Sequence, residues 1–373
     1  GACSSEEAIP SDIKVDSIDW STCDEYPDED NLECGVLEVP LDYSDLEGET
    51  LEISLIRISA TSSKPKGVVR DTGGYLVALA WSMRYIYDTA AGETFWAASD
   101  IGWVVGHSYI VYGPLVQGCT TLLYEGKPVG TPDAGAYWRI IESHRVATLF
   151  TAPTAIRAIK REDPDGHHMT SVKLHSLRAL FLAGERADPD TVHWASKALG
   201  VPVIDHWWQT ETGWPMVANG LGFKTLPIKA GSPTLPVPGF DIVVLNNEGR
   251  VLGAHKQGSL AVRLPLPPGC LPTLWNNDDG FCSAYLREHP GYYTTGDGGY
   301  VDEDGYVFVM GRIDDVINVA GHRLSTGELE QALASHVAVA ECAVIGVADA
   351  LKGTVPVGLV VLKAGVTTPA AEI

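Results

Sequence analysis

Four short apolar runs constrain the fold of this chain most, because segments with helical periodicity separate them. The runs cover residues 120–124, 147–150, 177–182 and 201–204, and the helical patterns cover residues 136–144, 154–162 and 189–199. Alternation of strand and helix predicts a largely parallel sheet covered by helices, since parallel strands need a crossover connection. After Gly231 the pattern changes to short strands and turns, such as the hairpin turn predicted at residues 302–305. We therefore predict an α/β fold with layered, mostly parallel sheets, followed by a small α+β C-terminal domain.

Composition and charge exclude several classes of partner. The 373 residues are 45% hydrophobic, enough to bury a core in two or three domains. No run reaches the 18 or so apolar residues of a membrane-spanning helix, and the N-terminus lacks the basic and apolar segments of a signal peptide. The net charge of -22 argues against nucleic acid and against an anionic membrane, which both need a basic face.

The first 60 residues differ in character from the rest. They hold 17 acidic residues against Lys14 and Arg57. Within them, Cys23 and Cys34 could close a short loop by a disulfide in an oxidising compartment. The later cysteines have no metal-ligand spacing and are expected to be reduced and buried; they are Cys119, Cys270, Cys282 and Cys342. His167 and His168 follow Asp-Gly in a polar segment that predicts a solvated loop rather than a metal site.

A polar, Trp-rich stretch follows the apolar run at residues 201–204. It reads Asp205-His206-Trp207-Trp208-Gln209-Thr210-Glu211-Thr212-Gly213. In open α/β sheets, ligands bind at the edge where such strands end. The tryptophans can form an apolar wall, the hydroxyls and the amide can bond phosphate, and the carboxylate can hold hydrated Mg²⁺. The alternative is a Trp-rich loop that plugs a core.

This stretch closely resembles the nucleotide loop, D-x-W-W-Q-T-E-T-G, of the adenylate-forming acyl-CoA synthetase superfamily. Within the superfamily it is most similar to the acetyl- and propionyl-CoA synthetase group. The resemblance runs from about Gly67 to the C-terminus. Further motif matches lie at residues 96–103, Gly184-Glu185, Tyr293-Thr-Thr-Gly-Asp297 and residues 311–323.

The resemblance implies roles for individual residues. Gly184 and Glu185 would border the adenine, and Asp297 and Arg312 would bind the ribose. Thr210 would contact the α-phosphate, Glu211 would hold Mg²⁺, and Arg323 would contact the phosphate side of the adenylate. The nucleotide would also be lined by Asp205, His206, Trp207, Trp208 and Gln209.

The resemblance also implies the reaction and its substrates. A short-chain carboxylate would attack ATP, and the acyl-adenylate would pass its acyl group to coenzyme A. Trp208 with Val104, Val105 and Ala183 would wall the acyl pocket. Acetate enzymes that resemble this sequence usually carry a larger residue at the position of Ala183. The space gained is worth roughly one methylene, about 0.8 kcal/mol of burial, so propionate is favoured over acetate.

Residues 1–66 carry a different resemblance. Residues 18–23, 33–43 and 51–59 resemble the N-terminal segment of secreted α/β-hydrolase aminopeptidases of the tripeptidyl-peptidase type, which precedes the catalytic domain. A hydrolase needs a G-x-S-x-G elbow, and the nearest candidate, centred on Ser108, has Ile110 at its fifth position. A secreted peptidase is therefore a third, weaker alternative.

Three departures from the synthetase pattern predict impaired turnover. The family's long N-terminal region is replaced by the hydrolase-like segment, and its C-terminal lysine has no counterpart in the 373 residues. In the phosphate loop at residues 59–67, Ala60 and Ser63 replace glycines that let backbone amides approach phosphate.

We predict three regions: an N-terminal segment (1–66), an incomplete adenylation domain (67–313) and a truncated C-terminal domain (314–373). The predicted function is that of an AMP-forming short-chain acyl-CoA synthetase using ATP, Mg²⁺ and coenzyme A. The alternative is a nucleotide-binding remnant of a gene fusion without turnover. The synthetase part indicates the cytoplasm or mitochondrion and the first segment indicates secretion. Small molecules are the expected partners, and no oligomeric state is predicted.

Overall fold

The architecture is taken from a computed structural model of the chain. It describes residues 21–22, 32–40, 50–58, 67–185, 187–313, 317–319, 322–324, 326–334, 336, 338–349, 353–362 and 366. The predicted disulfide partner Cys23 and the phosphate-loop residues 59–66 lie outside these ranges. The chain divides into two compact units, residues 1–67 and 68–373.

The first unit contains a three-stranded antiparallel sheet in the order β1-β2-β3. Its strands are β1 (Ser21–Thr22), β2 (Leu32–Pro40) and β3 (Thr50–Ile58). β2 and β3 pair from Leu32 opposite Ile58 to Pro40 opposite Thr50. The strand predicted at residues 51–59 from alternating apolar and polar residues is β3. The hydrolase resemblance of this unit stays a prediction.

The second unit contains helices and, within the described residues, four further sheets. Its helices are α1 (Thr72–Tyr85), a π-helix (Gly106–Tyr112), α2 (Gly113–Gln117), α3 (Ala136–His144), α4 (Pro153–Glu162), α5 (His167–Thr170), α6 (Pro189–Leu199), α7 (Asp278–Tyr285) and α8 (Thr326–Ala334). Its strands are β4 (Thr94–Ala98), β5 (Thr120–Thr121), β6 (Val146–Thr151), β7 (Ala179–Leu182), β8 (Val203–Asp205), β9 (Val217–Ala218), β10 (Leu235–Pro236), β11 (Ile242–Leu245), β12 (Gly258–Arg263), β13 (Tyr292–Val301), β14 (Val307–Arg312), β15 (Ile317–Val319), β16 (His322–Leu324), β17 (Val339–Asp349) and β18 (Gly353–Leu362).

A five-stranded parallel sheet, in the order β5-β4-β6-β7-β8, forms the centre of the second unit. Every residue of β6 is buried, as expected for a strand covered on both faces. Successive side chains enter different cores: Phe150 and Phe181 pack with α1 and the π-helix, whereas Leu149 and Leu180 pack with α3 and α4. This alternation gives the sheet two apolar faces. The predicted α/β fold with a parallel sheet is confirmed.

The helix predictions at 136–144 and 189–199 match α3 and α6 residue for residue. α6 has clear end signals, because Asp188 accepts a hydrogen bond from the Thr191 amide at 2.8 Å and Gly200 ends the helix at φ 69°. The strand predicted at residues 120–124 is shorter, since β5 ends at Thr121. The loop predicted at His167 and His168 is wrong in one respect: both side chains are exposed, but they lie in the short helix α5.

The antiparallel sheet β11-β12-β13-β14 follows. β13 and β14 are joined by the predicted turn at residues 302–305, where the Gly305 amide donates to the carbonyl of Asp302 at 3.1 Å. Asp297 lies directly opposite Arg312 in this pair of strands. The last sheet has the order β16-β15-β18-β17 and packs with α8, which gives the small α+β C-terminal part.

The expectation for the later cysteines holds in part. Within the described residues, none of the four forms a disulfide. Cys119 and Cys270 are buried, and burial raises the pKa of both thiols, that of Cys270 to about 12. Cys282 and Cys342 are only half-buried.

Candidate functional site

The predicted site residues gather where neighbouring parallel strands end. β7 ends at Leu182 and leads into Ala183, Gly184 and Glu185, while β8 ends at Asp205. Leu182 and Asp205 are register partners, so the two segments emerge side by side. Two segments that are distant in sequence therefore meet at the carboxyl edge of the sheet.

The Trp-rich stretch folds back on itself after β8. The Trp207 amide donates to the Val217 carbonyl at 2.9 Å, and the Met216 amide donates to the Trp207 carbonyl at 2.9 Å. Between them, the Gly213 amide donates to the Gln209 carbonyl at 3.0 Å and closes a tight turn. Gly213 takes φ +75°, a conformation that favours glycine. We call residues 209–213 the Glu211 turn; Thr210 is exposed on it.

Asp297 lies beside this turn with its carboxylate buried. Its Oδ2 accepts hydrogen bonds from Gln209 Nε2 at 2.7 Å and Trp207 Nε1 at 3.2 Å. Arg312 Nη1 lies 3.7 Å from the other oxygen, Oδ1, and donates to the Thr295 carbonyl at 2.9 Å. Tyr293 OH donates to Gln209 Oε1 at 3.0 Å, which fixes the direction of that amide.

Burial raises the pKa of Asp297 to about 6, against the opposing effects of Arg312, Trp207 and Gln209. The nearby carboxylate of Glu211 adds to the rise. A carboxylate this costly to ionise gains from further hydrogen-bond donors. The hydroxyl groups of a sugar would supply them.

Glu211 is oriented by an aromatic pair. Tyr285 OH donates to Glu211 Oε1 at 2.6 Å, and the Tyr285 ring stacks on Tyr293 with centroids 5.3 Å apart. Burial raises the pKa of both phenols, so each keeps its proton and acts as a donor. The same stack therefore connects the carboxylate of Glu211 to the amide that holds Asp297.

Gly184 and Glu185 lie on the other side of the edge. Gly184 takes φ +103°, and a Cβ at this position would meet no atom within 4 Å, so open space lies beside it. Glu185 Oε1 accepts from the Thr154 amide at 2.6 Å, at the start of α4. Arg157 Nη2 donates to both oxygens of Glu185 at 2.9 Å. The carboxylate of Glu185 thus caps the start of α4. The backbone of Glu185 remains available to contact a ligand.

The side chain of His206 points away from the edge and into the core. It is 2% exposed, with Nε2 2.8 Å from Tyr87 OH and Nδ1 2.6 Å from the Leu182 carbonyl. Burial lowers the pKa of His206 to about 4. The side chain therefore holds β8 against the aromatic core, and any contact of His206 with a nucleotide would have to come from its backbone.

Three of the four residues of the predicted acyl pocket belong to, or pack against, the core cluster that α1 and the π-helix form with the parallel sheet. Ala183 is a buried member of the cluster, and Trp208 and Val105 pack against it. The Trp208 ring meets the Tyr109 ring edge to face at 5.5 Å. Val104 is half-buried and does not belong to that cluster within the described residues.

For the two predicted arginines, the structure describes the side-chain contacts of Arg312 and the strand position of Arg323. Arg312 is half-exposed and faces Asp297, as described above. Arg323 lies on β16 opposite Asn318. Its predicted contact with phosphate stays a prediction.

Two family profiles match parts of the chain. The profile described as "AMP-binding enzyme" matches residues 59–267, more than half of the chain. The chain belongs to the AMP-binding enzyme family. The profile described as "AMP-binding enzyme C-terminal domain" matches residues 328–373.

Individual relatives and a solved structure are also similar to the chain. The chain is 52% identical over 322 residues to mouse (Mus musculus) "Acyl-CoA synthetase short-chain family member 3, mitochondrial", which covers 86% of the chain and 47% of that protein. It is 50% identical over 312 residues to the propionate–CoA ligase of Escherichia coli, covering 83% and 49%. The crystal structure of an anthranilate CoA ligase in complex with anthranoyl-AMP aligns with a TM-score of 0.71 at 25% identity, covering 83% of the chain and 57% of that chain. The chain spans about half the length of the relatives it matches.

Two further features are absent from the part of the chain that the structure describes. No helix there is long and apolar enough to span a membrane. In the same residues, no three His, Cys, Asp or Glu side chains come together as metal ligands. A dedicated all-protein metal cage is therefore not part of the described site.

Several residues of the site are not among those singled out from sequence. Arg70 bonds the backbone of the Glu211 turn, Tyr285 orients Glu211, and Tyr293 and Thr295 support the Gln209–Asp297 pair. Tyr293 and Thr295 lie within the motif that ends at Asp297, so the motif itself was their signal. Arg70 and Tyr285 carry no local signal, because each reaches the turn from a distant part of the chain.

Proposed function

We propose that the chain acts as an AMP-forming ligase that joins a short-chain carboxylic acid to coenzyme A. The observation that carries the proposal is the hydrogen-bond network between Asp297 and the Glu211 turn. The amide of Gln209 connects a buried carboxylate suited to ribose hydroxyls with the Glu211 turn. This turn carries the exposed hydroxyl of Thr210 and the half-buried carboxylate of Glu211, which suit phosphate and its cation. A nucleotide spanning the two would use every predicted contact on this side of the site.

The residues fit a bound magnesium ion of the kind that travels with ATP. Mg²⁺ prefers hard oxygen ligands and is usually held by one or two carboxylates, phosphates and water. Glu211 offers such a carboxylate next to the hydroxyl of Thr210. When bound, the ion would offset phosphate charge and so favour departure of pyrophosphate.

Several of the predicted site residues then have a defined role in the reaction. Asp297 and Arg312 fix the ribose, and Thr210 donates to the α-phosphate as charge develops there. The carboxylate oxygen of the acid bonds to the α-phosphorus as pyrophosphate leaves. The thiol of coenzyme A next attacks the acyl carbon, loses its proton and releases AMP. Trp208 closes the acyl side, which excludes water from the reactive mixed anhydride.

Propionate is the acid we favour. Ala183 leaves room beside Trp208, and one relative is a propionate–CoA ligase. Replacing Ala183 with valine restores two methyl groups and should lower the propionate-to-acetate ratio of kcat/KM about fourfold, the equivalent of one methylene. An unchanged ratio would remove Ala183 from the acyl pocket.

The test of the function is pyrophosphate release on addition of propionate, ATP, Mg²⁺ and coenzyme A. Thermal unfolding with a non-hydrolysable propionyl-adenylate mimic provides the binding control. A ligand at 100 times its dissociation constant should add about 2.7 kcal/mol to the free energy of unfolding. Pyrophosphate release that depends on propionate supports the ligase. Stabilisation without release would favour the second candidate, a protein that binds nucleotide without turnover.

The location of the protein follows the proposed function. Cytoplasm or mitochondrion would supply ATP and coenzyme A, and the mouse relative carries the word mitochondrial in its name. Secretion, and the peptidase activity that would accompany it, has less support. Ser108, the nearest match to a hydrolase nucleophile, is fully buried and its hydroxyl donates to the Gly213 carbonyl at 2.6 Å.

A further inference from the structure

We propose that Arg70 is a positioning residue: it fixes the backbone of Thr210 and Glu211 and so sets the affinity of the site for magnesium-bound ATP. The inference rests on the proposed function and goes beyond it, because it concerns a residue outside the nucleotide loop.

The guanidinium of Arg70 donates to three backbone carbonyls. Nη1 lies 2.5 Å from the Glu211 oxygen and 3.3 Å from the Gly269 oxygen, and Nη2 donates to the Thr210 oxygen. The Leu271 amide adds a second bond to the Glu211 carbonyl at 2.9 Å. A planar fork can bond two adjacent carbonyls at once, which the single ammonium of a lysine cannot do with the same geometry.

A second contact holds the end of the same turn. Ser108 Oγ donates to the Gly213 carbonyl at 2.6 Å, and Tyr75 OH lies 2.5 Å from Ser108 Oγ. Arg70 lies over the Tyr75 ring, with Cζ 5.3 Å from its centroid. The backbone oxygens of residues 210, 211 and 213 are therefore all held from one side.

The fit around Arg70 is tight. A Cβ on Gly213 would lie 2.8 Å from Arg70 Cζ and 3.0 Å from the Tyr75 ring. Burial lowers the pKa of Arg70 from its usual value. An arginine side chain keeps its proton in proteins, so a desolvated cation lies here. Its hydrogen bonds to carbonyl groups offset that desolvation.

The contacts of Arg70 distinguish the phosphate-binding part of the predicted nucleotide site from its ribose-binding part. Arg70 bonds the backbone beneath Thr210 and Glu211, which would face phosphate and magnesium. The ribose carboxylate of Asp297 is held instead by Trp207 and Gln209, and no hydrogen bond described for Arg70 reaches any of these three side chains. Loss of Arg70 should therefore weaken binding on the phosphate side and spare the ribose side.

The experiment uses the full chain with Arg70→Met and Arg70→Lys. Arg84→Met is the matched control, because Arg84 is an exposed arginine that lies 5.4 Å from the Tyr85 ring on α1. Calorimetry measures the dissociation constant of adenosine, which has the ribose but no phosphate, and that of ATP at increasing Mg²⁺ concentrations. Thermal unfolding without ligand reports the stability of each variant.

We expect Arg70→Met to weaken ATP binding at saturating Mg²⁺ about tenfold or more, as for other residues that orient metal ligands. The dissociation constant of adenosine should stay within about twofold of wild type. For ATP, Arg70→Lys should give a dissociation constant between those of wild type and Arg70→Met. Arg84→Met should change neither constant. A purely structural role would weaken the binding of adenosine and ATP together.

The other results overturn the inference in distinct ways. Equal weakening of adenosine and ATP binding, or no change in either, would contradict a positioning role. If Arg70→Met does not unfold cooperatively, the binding constants of Arg70→Lys decide, and failure of both variants to fold would make Arg70 a structural residue. If the wild-type chain binds neither adenosine nor ATP, the proposed function itself fails. Nucleotide binding by wild type with unaltered binding by the variants would refute the inference alone.

Discussion

Asp297 and Asp302 are five residues apart and equally buried, since each is 7% exposed. Their surroundings shift the pKa values of the two carboxyls in opposite directions. Asp302 accepts from the Tyr306 amide at 2.8 Å, the Asp304 amide at 3.0 Å and Lys229 Nζ at 2.5 Å. Asp297 accepts from two neutral side chains, with Arg312 at 3.7 Å. Burial acts to raise the pKa of both carboxyls, but Lys229 and the two amides outweigh it at Asp302 and lower its pKa.

We interpret this difference as that between a structural carboxylate, Asp302, and one that binds a ligand, Asp297. Asp302 has its cation and its donors within the fold, so it fastens the turn between β13 and β14. Asp297 has a raised pKa, which is typical of carboxyl groups in ligand-binding and catalytic sites. Acidic residue type and burial are the same at both positions, so only the donor set distinguishes them.

Asp297→Ala should give the largest effect. We expect the affinity for AMP to fall about 100-fold, because hydrogen bonds to a charged group would be lost. Calorimetry with AMP measures the change, and Asp302→Asn, assayed well below its melting temperature, is the matched control. A loss of less than about threefold would mean that Asp297 does not hold the ribose.

Asp302→Asn should act on stability alone. We expect the free energy of unfolding to fall by about 2 kcal/mol, since Lys229 and two amides lose a charged acceptor. Urea unfolding at pH 7 measures this change. Because the pKa of Asp302 is lowered, its contribution is present above the usual aspartate pKa and is lost as the pH falls through the lower folded value. Weaker AMP binding with unchanged stability would reverse the assignment.

Acid should weaken AMP binding through Asp297. The ribose hydroxyls need an ionised acceptor, and protons compete for the carboxylate below its pKa of about 6. The dissociation constant should rise about tenfold between pH 7 and pH 5. Titration of adenosine, which should show the same rise and has no phosphate that titrates at about pH 6, isolates the effect of the carboxylate, and Asp302→Asn should give the same curve. A flat curve for wild type would show that Asp297 is ionised throughout.

Trp207→Phe should give the smallest effect. It removes the longer of the two hydrogen bonds to Asp297 and keeps an aromatic ring, so AMP should bind about threefold more weakly. The midpoint of the pH curve should move upward, because one donor that lowers the pKa of Asp297 is gone. If Trp207→Phe weakens AMP binding as much as Asp297→Ala, the indole itself contacts the ligand.

The parallel sheet and the outline of the site could be predicted because their signals are local. β6 is a continuous apolar run, and α6 has an N-cap aspartate, a first-turn proline and a glycine end. The helix α1 was missed, although Asp71 caps it, because Gly73 and Gly74 in its first turn disfavour a helix. Local propensity was overridden by packing of Leu79 and Met83 in the core.

The supporting contacts of the site could not be predicted, since they join distant segments. Arg70 is 141 residues from Glu211 and 199 from Gly269. The orientation of His206 was more accessible to reasoning. Strand residues alternate between faces, so a side chain two residues after the buried Ile204 should also point into the core.

The buried imidazole of His206 has a further consequence for proton balance. With a folded pKa near 4, this ring takes up a proton on unfolding at mildly acid pH, which lowers stability as the pH falls below its usual value. Asp297 works in the other direction, since the folded chain holds its proton up to about pH 6. The two shifts are opposite in direction and overlap between pH 4 and 6. On unfolding in this range, the proton that His206 takes up is therefore offset by the proton that Asp297 releases, and the contributions of the two groups to the pH dependence of the melting temperature oppose each other.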